Sequence, residues 1–209
     1  WTLPNVRTDS AMVRVMTIDS VGLTASDTSA LFSILDGIPP EISITSPGSG
    51  FSIPEYEDIT VEWTASDNIG LDSVFVFYSI DGGASYDQTG ATEAENASFT
   101  FSISAGVTSA AQIKLVVQDL DGNENEAYSA LFSVTDNTPP VVDALTPQDG
   151  ESFEIDGTVN ITWNASDNIA VTSIDILYSN NGGDNWTAID SNLTNTGSFD
   201  WTIPNDPSN

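Results

Sequence analysis

The stretch VEWTASDNIGLDSVFVFYS at residues 61–79 returns one hundred positions later as ITWNASDNIAVTSIDILYS at residues 161–179. Apolar and polar residues alternate on both sides of Asp67-Asn68, which is the pattern of two strands joined by a turn and not of a helix. Along the second strand Val74, Val76 and Tyr78 face one way, and Trp63 sits on the first. The offset is general. Pro39-Pro40 falls on Pro139-Pro140, Asp19 on Asp119, Gly82-Gly83 on Gly182-Gly183, and Trp1 on Phe101 and then Trp201. One period is therefore one domain of about 100 residues, repeated in tandem.

The paired prolines mark linkers at 36–40 and 136–140 and divide the chain unequally. Residues 41–135 read as a complete repeat, residues 1–35 as the C-terminal half of one, and residues 141–209 as the N-terminal part of another. A half-repeat of that size cannot bury enough apolar surface to offset its ordering entropy. The expectation is that continuing chain or a neighbouring copy completes each end.

Within 41–135 no helical period survives ten residues, and the fold class is all-β. The expected strands are 42–45, 59–65, 71–79, 85–88, 97–103, 111–118 and 127–134, the count of a seven-strand Ig-like or fibronectin III-like sandwich. Ile113, Leu115 and Val117 should face the core shared with Val74, Val76 and Tyr78. Phe75 and Phe77 alternate outward beside Val116, where the next repeat has Asp175 and Leu177, and an apolar patch there could mark a lateral contact.

With 31 acidic and 3 basic side chains the net charge is −28, so nothing can neutralise a phosphate backbone and nucleic acid is excluded as a partner. No apolar run approaches the roughly 20 residues of a spanning helix, so no membrane insertion is expected. Cysteine is absent, and each core must suffice without disulfides. A dense carboxylate shell with little lysine suits an extracellular or cell-surface setting, where salt screens its self-repulsion. Sequons at Asn96, Asn160, Asn164, Asn185 and Asn192 are glycosylation candidates that agree with that setting.

Histidine and cysteine are absent and Lys114 is the single lysine, which removes triads, imidazole metal sites and most lysine chemistry. The chain reads as no enzyme. Internal isopeptide crosslinks would need a lysine in each domain, and one lysine argues against them. Tyr78-Ser-Ile-Asp-Gly-Gly-Ala-Ser-Tyr86 is similar to the Asp-box turn, in which a carboxylate ties down a hairpin while glycines supply positive φ. The second copy carries Asn181 in place of Asp81.

Calcium is the one cofactor that the residues suggest. In a seven-strand sandwich the entry linker, the loop after the second strand and the loop between the last two strands share a pole. That would gather Asp36, Asp67, Asn68, Asp119 and Asp121, with Asp136, Asp167 and Asn168 as the equivalent set one repeat later. The competing reading is turn chemistry, since Asp and Asn close loops by accepting their own backbone N–H groups.

Four motifs carry a family resemblance: PQDGESF from Pro147, ITW from Ile161, YSNNGGDNW from Tyr178 and NTGSFDWTIP ending at Pro204. An apolar strand with D-x-x-G follows in register at Val117 to Gly122, and again at Thr17 to Gly22. The unit resembles the bacterial and archaeal extracellular Ig-like, fibronectin III-like repeats of surface proteins, related in pattern to the fungal cell-wall Kre9/Knh1-type domain. That resemblance implies an Ig-like sandwich and surface or secreted placement, without a fixed activity. The expected role is a structural repeat of a rod, filament or adhesin stalk that supplies spacing, stiffness and self-assembly with neighbouring repeats or copies. The alternatives are a carbohydrate- or protein-binding module and a spacer beside a secreted enzyme.

Overall fold

The computed structural model describes residues 2 and 6–205, so the expectations for Trp1 and for residues 206–209 lie outside the described residues. The chain divides into two units, Trp1–Asp136 and Asn137–Asn209. In the first unit the strands are β1 (Thr8–Ala11), β2 (Arg14–Ile18), β3 (Thr24–Thr28), β4 (Phe32–Ile34), β5 (Glu41–Ser46), β6 (Ser52–Pro54), β7 (Asp58–Ser66), β8 (Leu71–Ser79), β9 (Asp87–Glu93), β10 (Ser98–Ser102), β11 (Thr108–Asp119), β12 (Glu124–Tyr128) and β13 (Phe132–Thr135). In the second they are β14 (Val141–Thr146), β15 (Thr158–Ser166), β16 (Ile174–Tyr178), β17 (Thr187–Leu193) and β18 (Ser198–Thr202).

The middle repeat is an Ig-like sandwich. One sheet has the order β10-β7-β5, and the other runs β6-β13-β11-β8-β9 with β12 also paired to β11. The alternation seen in the sequence sets the faces: Val74, Val76, Ile113, Leu115 and Val117 have no exposed surface, and Trp63 and Tyr78 are buried against them. Burying a side chain such as Leu115 contributes about 1.5–3 kcal/mol. Phe75, Phe77 and Val116 lie on the opposite, half-exposed face, where the Lys114 ammonium stands 4.7 Å from the Phe77 ring centroid and 5.1 Å from that of Tyr86.

The strands differ from the expected set in three places, the last of them a strand that was not expected. Ser85 belongs to a turn, because Asp81 captures its amide and hydroxyl, and the strand expected at 85–88 is β9, Asp87–Glu93. The strand expected over 127–134 is broken, since Ser129 bonds Ile113 through its own amide and through its hydroxyl, which displaces one backbone rung. It forms β12 and β13. The third is β6, three residues including Pro54, which pairs parallel with β13 and is too short to register as a period.

Residues 8–34 repeat the pairing of residues 108–134. The β2·β3 hairpin sets Arg14 opposite Thr28 and Ile18 opposite Thr24, while β11·β12 sets Lys114 opposite Tyr128 and Gln118 opposite Glu124. Likewise Ala11 faces Phe32 and Ala111 faces Phe132. The second unit holds the other part of the sandwich, with sheets β14-β15-β18 and β16-β17.

Candidate functional site

The linker between the first half-repeat and the middle repeat is held at four points by side chains of the middle repeat. The amide of Asp36 donates to Oδ2 of Asp121 at 3.1 Å, and the carbonyl of Asp36 accepts Nδ2 of Asn123 at 3.3 Å. Nδ2 of Asn68 reaches both carboxylate oxygens of Asp36, at 3.3 and 3.2 Å. At the far end of the linker, Nδ2 of Asn125 donates to the carbonyl of Pro40 at 2.9 Å. Pro40 is fully buried. From the other side Arg7 Nε pairs with Oδ1 of Asp121 at 2.7 Å.

Three carboxylates converge at this pole. One oxygen each from Asp36, Asp67 and Asp119 lies within 4.8 Å of the others. Asp119 is the buried member: Oδ1 accepts the amides of Asp121 and Asn123, at 2.9 and 2.8 Å, and Oδ2 accepts Nδ2 of Asn123 at 2.7 Å. Burial pushes its carboxyl up, but the hydrogen bonds from Asn123, Asp121 and Gly122 together outweigh it and hold it below the usual carboxylate range. Gly122 takes φ +87° to close that turn. Asp19 makes the same closure one period earlier, accepting the amides of Val21 and Leu23 at 2.9 and 2.8 Å.

Asp67 closes its own loop, with Oδ2 accepting the amides of Ile69 and Gly70 at 2.7 and 2.9 Å. Its Oδ1 is buried without a hydrogen-bond partner. Asp167 repeats this arrangement, since Oδ1 accepts Ile169 and Ala170 at 2.9 and 3.1 Å and Oδ2 is buried and unpartnered. Among the residues expected to hold calcium, the cluster thus gathers Asp36, Asp67 and Asp119, with Asn68 bonded to Asp36 and Asp121 engaged by Arg7 and the Asp36 amide. Asp136 ends the first unit, and Asp167 and Asn168 lie in the second. Arg7, Asn123 and Asn125 were not singled out by the sequence. The D-x-D-G-N-x-N spacing that places the two asparagines beside the linker was the signal available for them.

The remaining candidates sit apart from this pole. The hairpin of Asp81 is stapled: the Ser79 hydroxyl donates to Oδ1 at 2.7 Å, the Ser85 amide to Oδ1 at 3.0 Å and the Ser85 hydroxyl to Oδ2 at 2.6 Å. Those bonds, led by the Ser85 hydroxyl, hold the Asp81 carboxyl far below the usual range. Asn181 reproduces the turn with a neutral amide, accepting the Ser179 hydroxyl at 2.9 Å and the Asn185 amide at 3.0 Å. Asn96, Asn160, Asn164, Asn185 and Asn192 are all exposed. Trp63 and Trp163 are core residues. Among the described residues no helix is long and apolar enough to cross a membrane.

Among solved structures the chain is similar to the fibronectin(III)-like modules of Clostridium thermocellum CbhA, at 17% identity and a TM-score of 0.38, over 78% of this chain and 79% of that one. It is also similar to the N-terminal four Ig domains of Dscam1 isoform 6.44, at 13% identity and a TM-score of 0.34, over 75% of this chain and 40% of that one. No curated protein matches. The family model described as bacterial Ig domain matches residues 40–139 and again 140–209, which is most of the sequence and in phase with the hundred-residue period. The chain belongs to the bacterial Ig domain family.

Proposed function

We propose that this chain is a structural segment of an extracellular or cell-surface array, a rod or stalk whose function is to hold neighbouring modules at fixed spacing. The observation that carries the reading is the four-point capture of the Asp36 to Pro40 linker by Asn68, Asp121, Asn123 and Asn125. A linker free to hinge would not have its amide, carbonyls and carboxylate all engaged. Stiffness of this kind transmits position and needs no catalytic group. The acidic surface keeps such an array hydrated and unaggregated outside the cell. Two measurements test the reading. Antibody labelling of intact producing cells should detect the chain, and the maximum dimension in small-angle X-ray scattering should grow by a constant increment per added repeat. Labelling only after lysis, or dimensions that scale as for a flexible string, would contradict it.

Calcium is a second reading for the junction, favoured by the buried oxygens of Asp67 and Asp167 that lack a donor. A cation between Asp36, Asp67 and Asp119 would satisfy such an oxygen and relieve the mutual repulsion of the three carboxylates. Hydrogen bonding alone accounts for the rest of the cluster. Calorimetric titration of the chain with calcium separates the two, since absence of binding at millimolar calcium leaves the hydrogen-bonded junction as the whole account.

A further inference from the structure

The turn at residues 179–185 carries a reactive pair that the turn at residues 79–85 lacks. Asn181-Gly182 is the one place in the sequence where glycine follows asparagine. Such a pair can react with itself. The backbone nitrogen of the second residue is held next to the side-chain carbonyl carbon of the first, and glycine has no Cβ to obstruct the approach.

The structure sets the pair up. Asn181 is exposed at the tip of the β16·β17 hairpin, and Asp81 is equally exposed in the complete middle repeat, so the exposure belongs to the turn itself. A Cβ placed on Gly182 would meet nothing within 4 Å, which leaves open space where a ring would form. Oδ1 of Asn181 accepts the Ser179 hydroxyl at 2.9 Å and the Asn185 amide at 3.0 Å. Those two donors polarise the carbonyl and stand where negative charge develops when its carbon is attacked. Neither bond involves Nδ2, the atom that has to leave. One contact opposes the step: in the middle repeat the Gly82 amide donates to the carbonyl of Ala110 at 2.9 Å. An equivalent bond would have to open before the Gly182 nitrogen could attack, and such opening costs least at a hairpin tip.

The middle repeat also shows how the product is received. Asp81 accepts the Ser79 hydroxyl and the Ser85 amide just as Asn181 accepts Ser179 and Asn185. The Ser85 hydroxyl, which leads the lowering of the Asp81 carboxyl, has no equivalent at Asn185, but the Ser79 hydroxyl and the residue-85 amide that follow it do. This turn therefore favours a carboxylate at its first corner.

We propose that Asn181 is a site of spontaneous deamidation. The Gly182 nitrogen gives up its proton to solvent and bonds to Cγ of Asn181. The Cγ–Nδ2 bond breaks and Nδ2 leaves as ammonia, closing a succinimide. Water then opens the ring at either carbonyl, to aspartate or isoaspartate, with no oxidant or reductant required. Aspartate at this position reproduces the charged turn of Asp81, whereas isoaspartate lengthens the backbone by one carbon and breaks the bonds of the turn. The inference is independent of the array reading.

Incubation of the whole 209-residue chain at mildly alkaline pH, followed by peptide mapping with mass spectrometry, tests it. The peptide containing Asn181 should gain the mass difference between an amide and a carboxylic acid, localised by fragmentation to Asn181 and not to Asn180. It should also split chromatographically into aspartyl and isoaspartyl forms. Asn164, Asn185 and Asn192 are exposed but followed by Ala, Trp and Leu, and should stay intact over the same period. Asn181→Gln should remove the shift, and Ser179→Ala, which deletes a donor to Oδ1, should slow it. No shift at Asn181 overturns the proposal, as does conversion that appears only when denaturant unfolds the chain. Conversion at an equal or faster rate in Ser179→Ala also overturns it, because the turn would then not be assisting the carboxamide. None of these results bears on the surface labelling and scattering tests of the array reading.

Discussion

Arg7 and Asp121 meet across the junction at 2.7 Å, and the second oxygen of the same Asp121 carboxylate accepts the amide of Asp36 at 3.1 Å. One carboxylate therefore ties the half-repeat to the linker and both to the middle repeat. The Arg7 side chain is about half exposed, so solvent screens the pair. A double-mutant cycle of Arg7→Ala with Asp121→Ala should give a coupling of about 1 kcal/mol or less. The larger effect of Asp121→Ala should be loss of linker order, read as faster backbone motion at residues 36–38.

Asp81 and Asn181 close equivalent turns with different chemistry, which separates them by pH. The Asp81 carboxyl is held below the ordinary value for an aspartate, near 3.9 when unfolded. A depressed carboxyl contributes stability that is fully present above its unfolded value and is lost as pH falls through its folded value. The middle hairpin should accordingly loosen in acid below about pH 4, seen as accelerated amide exchange at Ser85. Exchange at Asn185, bonded to a neutral amide, should show no such transition beyond the ordinary pH dependence of exchange chemistry.

Core substitutions in the middle repeat should follow burial. Leu115→Ala removes a fully buried side chain between the sheets and should cost about 2–5 kcal/mol in chemical denaturation. Gly90 is a different case, because a Cβ there would stand 2.3 Å from Cζ of Phe99. Gly90→Ala should destabilise by about 1–3 kcal/mol through overpacking, and Phe99→Leu should recover part of the loss.

Chelation tests the acidic pole. If calcium sits among Asp36, Asp67 and Asp119, adding it at the 10⁻⁴ to 10⁻³ M typical of extracellular modules should raise the melting temperature, with chelator reversing the shift. Asp67→Asn should abolish the response while keeping the Asx turn, since an amide oxygen can still accept Ile69 and Gly70. An unchanged melting temperature assigns the cluster to turn closure alone.

The sandwich was legible because its strands alternate strictly: Val74, Val76 and Tyr78, and then Ile113, Leu115 and Val117, all reach the core as their spacing requires. Where side chains replace backbone rungs, periodicity is blind. Ser129 breaks the last strand with its hydroxyl, and the Asp81 carboxylate takes Ser85 out of the strand that follows. Convergence of Asp36, Asp67 and Asp119 could be anticipated from topology, because loops at one pole of a sandwich are neighbours. For Asn123 and Asn125 the D-x-D-G-N-x-N spacing was the only signal, and Arg7 had none, since their roles depend on the path of the linker across that pole.

If the captured linker does not hinge, the amide of Asp36, which donates to Asp121, reports on it directly. Hydrogen–deuterium exchange resolved at that amide should show protection comparable to strand amides such as those of β7, and Asp121→Ala should abolish it. Exchange at Asp36 as fast as in an unstructured peptide, in the unaltered chain, would contradict the account.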